Sequence, residues 1–274
     1  MNRQEYPSLR QGLVGAWCPS AKSDSGMTPD QSGRNRHLPR ATAHSFVASS
    51  GGVALSTNGV SSASTFNAPD ALTGDVDNTI SVWVSPLVAS GLQGLLSFGN
   101  SSVVSNGGNV TFYYQYTNSR LLISTGSSTG EIYGNVLPSV GQWQCLTRVK
   151  QAGQLAVMYL NGIRLGTGGG QAISSFSIPS APVVVGSNWN GANPGTVLID
   201  DIRIYGRVLT PAEILLLASR RGIGLTPLPD RAAGLPRRFS VNVGGTWRQA
   251  DSYVNVGGNW RLGQPSVNVG GVWK

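Results

Sequence analysis

Short apolar runs separated by turn-forming residues are the feature that most constrains the fold of this sequence. The chain contains 37 glycines and 15 prolines but only 12% charged residues, and clusters of glycine, asparagine and serine lie between the runs. This pattern is typical of strands joined by many turns, whereas helices need longer apolar stripes. The predicted strands are Leu13–Cys18, Thr79–Val84, Gly94–Phe98, Val110–Tyr116, Arg120–Thr125, Trp143–Lys150, Leu155–Leu160, Val183–Gly186 and Val197–Tyr205. The chain is therefore predicted to be all-β.

One pair of strands is predicted together with its turn. In the segment LAVMYLNGIRLG, Asn161 and Gly162 lie between two apolar runs. Both residue types tolerate the positive φ that a type I′ turn requires at its two central positions. The flanking strands are expected to be antiparallel neighbours.

A single short helix is predicted in the segment LTPAEILLLASRR. Thr210 is a suitable N-cap, Pro211 fits the first helical position, and Glu213 completes a capping box. Arg220 and Arg221 are expected at the C-terminal end, where the helix dipole favours cations.

The C-terminal segment repeats itself as SVNVGGTWR, YVNVGGNWR and SVNVGGVWK. Each unit has a Val-Asn-Val alternation, a Gly-Gly turn and a tryptophan, which predicts a minimal β-hairpin. Such hairpins bury too little area to be stable alone and must pack on something. We therefore divide the chain into an N-terminal arm (1–12), an all-β domain (13–221), a linker rich in proline, glycine and arginine (222–238) and the repeats (239–274).

Basic residues are concentrated at the chain ends. The net charge is +8, and eight of the 20 basic residues follow position 219, where only two acidic residues occur. Arginine forks suit carboxylates and phosphates. The tail is predicted to bind an acidic partner, although a purely solubilising charge remains an alternative. The predicted partner-binding residues are Trp247, Trp260, Trp273, Arg237, Arg238, Arg248 and Arg261.

Targeting signals and cysteines restrict the compartment. The chain has no apolar run of membrane-spanning length, and residues after Met1 do not resemble a signal peptide, so neither a membrane partner nor unaided secretion is expected. Cys18 and Cys145 lie in apolar runs and are predicted to be buried reduced thiols, with a single disulfide as the alternative.

Several blocks of the sequence resemble the laminin-G/concanavalin-A-like jelly-roll family. They are LVGAW, DQSGRNRHL, ISVWV, GQWQCLTRVKQAGQLAVMYLNGIRLGTG, VVVGSNWNG and VLIDDIRIYGRVLTPAEI, and they extend over roughly residues 13 to 221. The resemblance implies a two-sheet antiparallel sandwich that binds glycans, proteins or particle components. It also implies a calcium site at the rim of some members. Here Asp30, Asp200 and Asp201 lack the dense carboxylate cluster that calcium prefers, so no cofactor is expected and calcium stays a lesser alternative.

The tail resembles a second group of proteins. Endings of the form VNVGG-x-W-[RK] are similar to those of virion appendage and decoration proteins of tailed bacteriophages. This resemblance implies a location in the virion, with capsid or tail proteins as partners and homo-oligomers as a further option.

The carboxylates do not form the pair that a glycosidase needs. Retaining enzymes place two carboxyl groups about 5 Å apart, yet the glutamates are only Glu5, Glu131 and Glu213, and Glu213 is assigned to the helix cap. His37 and His44 match no metal spacing or catalytic triad and are predicted to be surface or turn histidines. We therefore expect no enzymatic activity, and binding that survives Glu131→Gln and a chelator.

One loop carries the chemistry of sugar recognition. Asn188, Trp189 and Asn190 combine an aromatic face with amides, which can stack on sugar rings and bond their hydroxyls. The alternative is that Trp189 caps the end of the core. Tyr113, Tyr114 and Tyr116 belong to one strand, occupy both of its faces and must partly be core.

Two functions follow from these patterns. The first is a non-enzymatic structural or binding protein of a bacteriophage virion, whose jelly roll is displayed outward while the basic tail docks on the particle. The alternative is a cell-surface or exported glycan-binding lectin or adhesin. Nucleic acid is not expected as a partner.

Overall fold

The computed structural model describes residues 6–23, 26–59, 64–66, 69–99, 108–124, 132–165 and 180–225, together with the paired strands of the C-terminal repeats. The chain divides into two compact units. One unit is Glu5–Thr226, and the other comprises Pro227–Lys274 with Met1–Gln4.

Strands are the main regular elements of the larger unit, and each predicted run contains one. Single 3-10 turns occur at Pro7–Leu9, Asp70–Leu72 and Tyr116–Asn118. The strands are β1 (Leu13–Trp17), β2 (Met27–Thr28), β3 (Leu38–Pro39), β4 (Ser45–Ser49), β5 (Gly52–Ser56), β6 (Ser64–Phe66), β7 (Asn78–Pro86), β8 (Leu92–Gly99), β9 (Asn109–Gln115), β10 (Arg120–Ser124), β11 (Ile132–Gly134), β12 (Gln144–Lys150), β13 (Val157–Leu160), β14 (Ile163–Arg164), β15 (Val183–Val185) and β16 (Val197–Tyr205).

Two antiparallel sheets form the predicted sandwich. The eight-stranded sheet has the order β14-β13-β12-β7-β16-β5-β4, and β1 also pairs with β16. The six-stranded sheet has the order β11-β10-β9-β8-β15-β6. Strands distant in sequence lie side by side, as in a jelly roll, so the all-β sandwich prediction is confirmed.

The main hydrophobic core lies between the sheets. In β9, Val110, Phe112 and Tyr114 belong to this core, whereas Thr111 and Tyr113 occupy the opposite face. The alternation follows from the two-residue period of a strand. The prediction that the tyrosines of this strand lie on both faces is therefore correct.

A second core covers the outer face of the eight-stranded sheet. Helix α1 (Pro211–Leu217) buries Ile214 and Leu217 there, together with Leu9, Ile223 and Leu225. Packing thus extends past both ends of the predicted 13–221 domain.

The helix begins as predicted but ends earlier. The Glu213 amide donates to Thr210 Oγ1 at 3.3 Å, and Glu213 Oε2 accepts from the Thr210 amide at 2.9 Å, so the capping box is present. Because the helix stops at Leu217 with no basic residue in its last turn, the expectation that Arg220 and Arg221 complement its dipole is wrong.

The Asn161-Gly162 turn is confirmed. Both residues have positive φ, 51° and 82°, and Leu160 of β13 pairs with Ile163 of β14.

Cys18 and Cys145 are both buried and free, as predicted, and burial raises the pKa of the Cys145 thiol to about 11. In the part of the chain that is described, no helix is long and apolar enough to cross a membrane.

Each C-terminal repeat forms one antiparallel hairpin. In all three, the register places an asparagine directly opposite the tryptophan: Asn242 and Trp247, Asn255 and Trp260, Asn268 and Trp273. The strands are β17 (Phe239–Val243), β18 (Thr246–Ala250), β19 (Tyr253–Val256), β20 (Asn259–Leu262), β21 (Asn268–Val269) and β22 (Val272–Trp273).

Candidate functional site

Four loops at one end of the sandwich form the candidate binding surface, which we call the rim. They connect β7 to β8 (87–91), β9 to β10 (116–119), β11 to β12 (135–143) and β15 to β16 (186–196). Antiparallel pairing brings them together, since Leu92 at the start of β8 pairs with Gln115 at the end of β9, and Val197 pairs with Pro86.

Backbone hydrogen bonds tie the rim loops to one another. They run from the amide of Tyr116 to the carbonyl of Gly91 (2.9 Å), from Gly141 to Pro86 (2.8 Å) and from Leu87 to Thr196 (2.9 Å). Main-chain contacts of this kind fix the loops relative to one another before any ligand arrives, which lowers the ordering cost of binding.

Gln93 is the side chain that fastens two of these loops. It is only 3% exposed. Its Oε1 accepts from the amide of Thr196 at 3.2 Å, and its Nε2 donates to the carbonyls of Val88 and Ser90, each at 3.0 Å. Gln93 therefore positions the β7–β8 and β15–β16 loops against each other.

Hydrogen bonds between asparagine side chains and backbone amides hold the β15–β16 loop in shape. Asn188 Oδ1 accepts from the Asn190 amide at 3.3 Å, and Asn190 Oδ1 accepts from the Ala192 amide at 3.0 Å. The Gly94 amide donates to the carbonyl of Asn193 at 2.7 Å. A Cβ at Gly94 would lie 2.6 Å from the amide nitrogen of Asn188, so this close approach of two backbones requires glycine.

The predicted sugar-binding residues lie together on this loop. Trp189 is half-buried, Asn190 is exposed and Asn188 is buried. Trp189 is not among the described side chains of the sandwich core. Neither Gln93 nor Gly94 was among the predicted site residues. Gln93 carries no local sequence signal, whereas the place of Gly94 inside a strand does signal a close backbone approach.

Asp201 lies in a buried ion pair, not at the surface. Its carboxylate oxygens accept from Arg203 Nε at 2.6 Å and Arg203 Nη2 at 2.8 Å, and the amide of Gly222 adds a third bond at 2.7 Å. Both acidic side chains of this strand are buried.

Asp200 connects the strand to the segment that follows the helix. Its Oδ1 accepts from the amides of Ser20 at 3.2 Å and Asp201 at 2.9 Å, and its Oδ2 from Arg221 Nη1 at 3.2 Å. Burial raises the pKa of Asp200. The Arg221 guanidinium stacks 3.9 Å from the centre of the Trp143 ring.

Asp30 holds the DQSGRNRHL loop on β1. Its Oδ1 accepts from the amides of Ala16 at 3.1 Å and Ser32 at 2.9 Å, and its Oδ2 from the amide of Arg36 at 3.1 Å. Both carboxylate oxygens thus serve the backbone. Among the described residues, no group of three or more His, Cys, Asp and Glu side chains could hold a metal ion.

The two histidines have different surroundings. His37 is exposed, and its Nδ1 accepts from the amide of Asp30 at 3.1 Å. His44 lies at a turn, yet it is only 1% exposed, with Nδ1 3.0 Å from Ser64 Oγ. A surface location was therefore correct for His37 and wrong for His44, because the 41–44 turn folds inward over Ser64.

Both carboxylate oxygens of Glu213 have structural partners. Besides the cap, it forms an ion pair with Arg207, whose Nη2 lies 2.6 Å from Glu213 Oε1. Glu5 and Glu131, the other two glutamates weighed as catalytic groups, lie outside the described residues.

Of the predicted docking residues of the tail, some are described by the structure and some are not. Arg237 and Arg238 lie outside the described residues. The others occupy strand positions of the hairpins: Trp247 and Arg248 in β18, Trp260 and Arg261 in β20, and Trp273 in β22.

The fold and part of the sequence are shared with known proteins. The sequence model of the concanavalin A-like lectin/glucanases superfamily matches residues 48–215. No curated protein matches the chain in sequence.

Solved structures share the fold at low identity. Trypanosoma rangeli sialidase is 17% identical with a TM-score of 0.56, and the match covers 76% of this chain but 32% of the sialidase. Domain 4 of an extracellular arabinanase from Geobacillus stearothermophilus, solved with arabinotriose, is 21% identical with a TM-score of 0.52, covering 76% of this chain and 98% of that domain.

A third similar structure is the ligand-binding domain of botulinum neurotoxin serotype D, solved with N-acetylneuraminic acid. It is 11% identical with a TM-score of 0.58, over 76% of this chain and 51% of that one. These likenesses show the fold, and the family match spans more than half of the sequence. On both grounds, the chain belongs to the concanavalin A-like lectin/glucanases superfamily.

Proposed function

We propose that this protein is a non-enzymatic glycan-binding and structural component of a bacteriophage virion, in which the rim binds sugar and the repeats dock on the particle. The observation that carries the glycan part is the position of Trp189. It is half-buried and lies between two asparagines on a loop held by backbone hydrogen bonds.

The geometry of this loop suits a sugar ring. An aromatic face offers a large apolar contact at low entropic cost, and neighbouring amides bond hydroxyl groups. Because both Asn188 Oδ1 and Asn190 Oδ1 accept backbone amides, the exposed Asn190 presents its Nδ2 donor to a ligand. Two similar structures, the arabinanase domain and the neurotoxin domain, were solved with saccharide ligands.

Binding without catalysis is supported by where the carboxylates lie. Glycoside hydrolysis by retaining enzymes uses two facing carboxyl groups about 5 Å apart. The rim loops contain no aspartate or glutamate, and Asp30, Asp200, Asp201 and Glu213 are each bound by donors of the protein itself.

The docking part rests on the repeats. Trp247 and Arg248 are consecutive strand residues and so belong to opposite faces of their hairpin, and the same holds for Trp260 and Arg261. Each of these two hairpins therefore has one face with tryptophan and asparagine positions and another with a basic position. We assign the first face to an apolar contact and the second to an acidic surface of the particle.

A glycan array tests the first part. The full chain is expected to bind a saccharide, and Trp189→Ala is expected to weaken that binding by roughly tenfold or more, since an aromatic stacking contact is lost. Leu155→Ala is the matched control, because Leu155 is 45% exposed in the loop from β12 to β13, at the end of the sandwich opposite the rim. Equal binding by Trp189→Ala and the wild type would reject the rim as the site.

Immunogold labelling tests the second part. Antibodies against residues 5–226 should label purified virions of the phage that encodes the chain, and deletion of residues 239–274 should abolish the label. Trp247, Trp260 and Trp273 changed together to Ala should have most of the same effect. Label confined to the host cell surface would instead support an exported lectin or adhesin.

A further inference from the structure

The rim loops carry no formal charge. None of the residues in 87–91, 116–119, 135–143 and 186–196 is Asp, Glu, Lys or Arg. All of these residues are described, and all four loops belong to one end of the sandwich. A ligand at the rim therefore meets amides, hydroxyls, aromatic rings and aliphatic groups.

Two cations next to the rim loops have contacts within the protein. Arg221 stacks on Trp143 of the rim but pairs its charge with Asp200, which is fully buried. Arg120, the first residue of β10, has a contact within the protein. The charge of Arg221 is therefore already matched by Asp200.

Backbone amides at the tip of the β15–β16 loop are also occupied. The amides of Asn188 and Gly191 donate to carbonyls of the same loop, at 3.1 and 3.0 Å, and those of Asn190 and Ala192 donate to asparagine side chains. A set of convergent free amides is what lets a loop bind an anion without a cation. In this loop tip the four amides named above already donate hydrogen bonds within the loop, so they do not form an anion site.

Aliphatic side chains remain exposed on the same surface. Leu87 is 38% exposed, Val88 39% and Val140 50%. The Gly141 amide bonds to Pro86, which places Val140 beside the β7–β8 loop. Single exposed aliphatics are ordinary, but three on neighbouring rim loops form an apolar contact surface.

We infer that the rim selects neutral saccharides with an apolar edge, such as an acetamido methyl or a deoxy position, and discriminates against acidic sugars. The inference rests on the proposed glycan binding and adds the class of ligand. A carboxylate at this surface would lose part of its hydration without gaining a charged partner, which is unfavourable. Neutral hydroxyls lose nothing comparable, because Asn190 and the Trp189 ring replace their water contacts.

The test is an array of neutral oligosaccharides, including arabinotriose, with matched forms that carry a terminal N-acetylneuraminic acid. Neutral members should bind, and addition of the acidic sugar at the contacted end should weaken binding roughly tenfold or more. Affinity for the neutral ligand should change less than about twofold between about 10 mM and about 1 M NaCl, since no ion pair is screened.

A variant with an added positive charge at the rim tests whether the missing cation is what disfavours acidic sugars. Ser90→Lys places a cation on the exposed β7–β8 loop, and it should raise affinity for the acidic member about two- to fivefold at low salt, the size of an exposed ion pair. Thr73→Lys adds the same charge on an exposed residue of the opposite end and should change nothing. Preference of the wild type for acidic sugars would overturn this inference and leave glycan binding intact. Binding to no glycan would overturn both.

Discussion

Asp201 lies where β16 changes partners. The strand pairs on one side with β5 through Leu198 and Ile199 and with β1 from Ile202 onward, and on its other side its register with β7 shifts between Asp200 and Arg203. At the shift Asp201 has a φ of 46°, a left-handed conformation that aspartate tolerates better than most residues. Burial lowers the pKa of Arg203, but the attraction and hydrogen bonds of the Asp201 carboxylate help to raise it overall, so Arg203 stays charged.

Replacing Asp201 with Asn tests this pair. Asparagine also accepts a left-handed φ, so the change removes charge while keeping the shape. We expect a loss of about 3 to 5 kcal/mol in the free energy of unfolding, because Arg203 becomes an unpaired buried charge. Urea denaturation measures it. Adding Arg203→Met should recover part of the loss, and a loss under about 1 kcal/mol would mean that the pair behaves like a surface one.

Residues whose role is local could be predicted from sequence, and residues whose role depends on distant partners could not. Thr210 and Glu213 are three positions apart, and Asn161 and Gly162 are adjacent, so a short window contains their whole interaction. Gln93 accepts a hydrogen bond from the amide of Thr196, 103 residues away. Arg148 is a buried residue in the middle of β12, and its guanidinium donates to Asn78 at 2.8 Å. Burial lowers the pKa of Arg148 to about 10, and no pattern in β12 reveals this environment.

At the level of elements, α1 is held by its first turn. Arg207 donates to both carboxylate oxygens of Glu213, and its Nε and Nη2 donate to the carbonyls of Gln11 and Ser8. One guanidinium therefore links the helix start to the N-terminal segment. The hydrogen bonds from Arg207 and then from Thr210 lower the pKa of Glu213 to about 2, against the opposing effect of burial.

This shift predicts a pH dependence. A carboxyl group whose folded pKa is depressed contributes stability that is complete above its ordinary pKa, about 4.5, and is lost as the pH falls towards about 2. The difference in thermal midpoint between the wild type and Glu213→Gln should therefore be constant above about pH 5 and shrink below it. A difference that does not depend on pH would show that the cap acts through shape alone.

At the level of the whole molecule, the larger unit contains both of its cores. Leu9, Ile223 and Leu225 belong to the core beneath α1, so a fragment cut at 13 and 221 would expose part of it. Sequence patterns predicted the sandwich and most of its longer strands, because alternation reports burial directly, but they did not predict β2 to β6 or β11. They missed the packed ends, which consist of turns without periodicity.

A fragment of residues 5–226 should therefore fold without the repeats. We expect a β-rich circular dichroism spectrum and a monomer by sedimentation, since both cores are retained. A matched fragment of residues 13–221 should melt at a lower temperature, because Leu9, Ile223 and Leu225 are removed. Equal melting temperatures would indicate that the second core contributes little.

The three hairpins share one register at equal spacing along the sequence, so the docking proposed for them would be trivalent. After one hairpin has docked, the other two are confined near the same surface, at an effective concentration on the order of millimolar for short linkers. Release then requires all three contacts to open before any one closes again. Avidity of this kind lets weak single contacts give a long residence time, and it makes loss of repeats reduce attachment step by step.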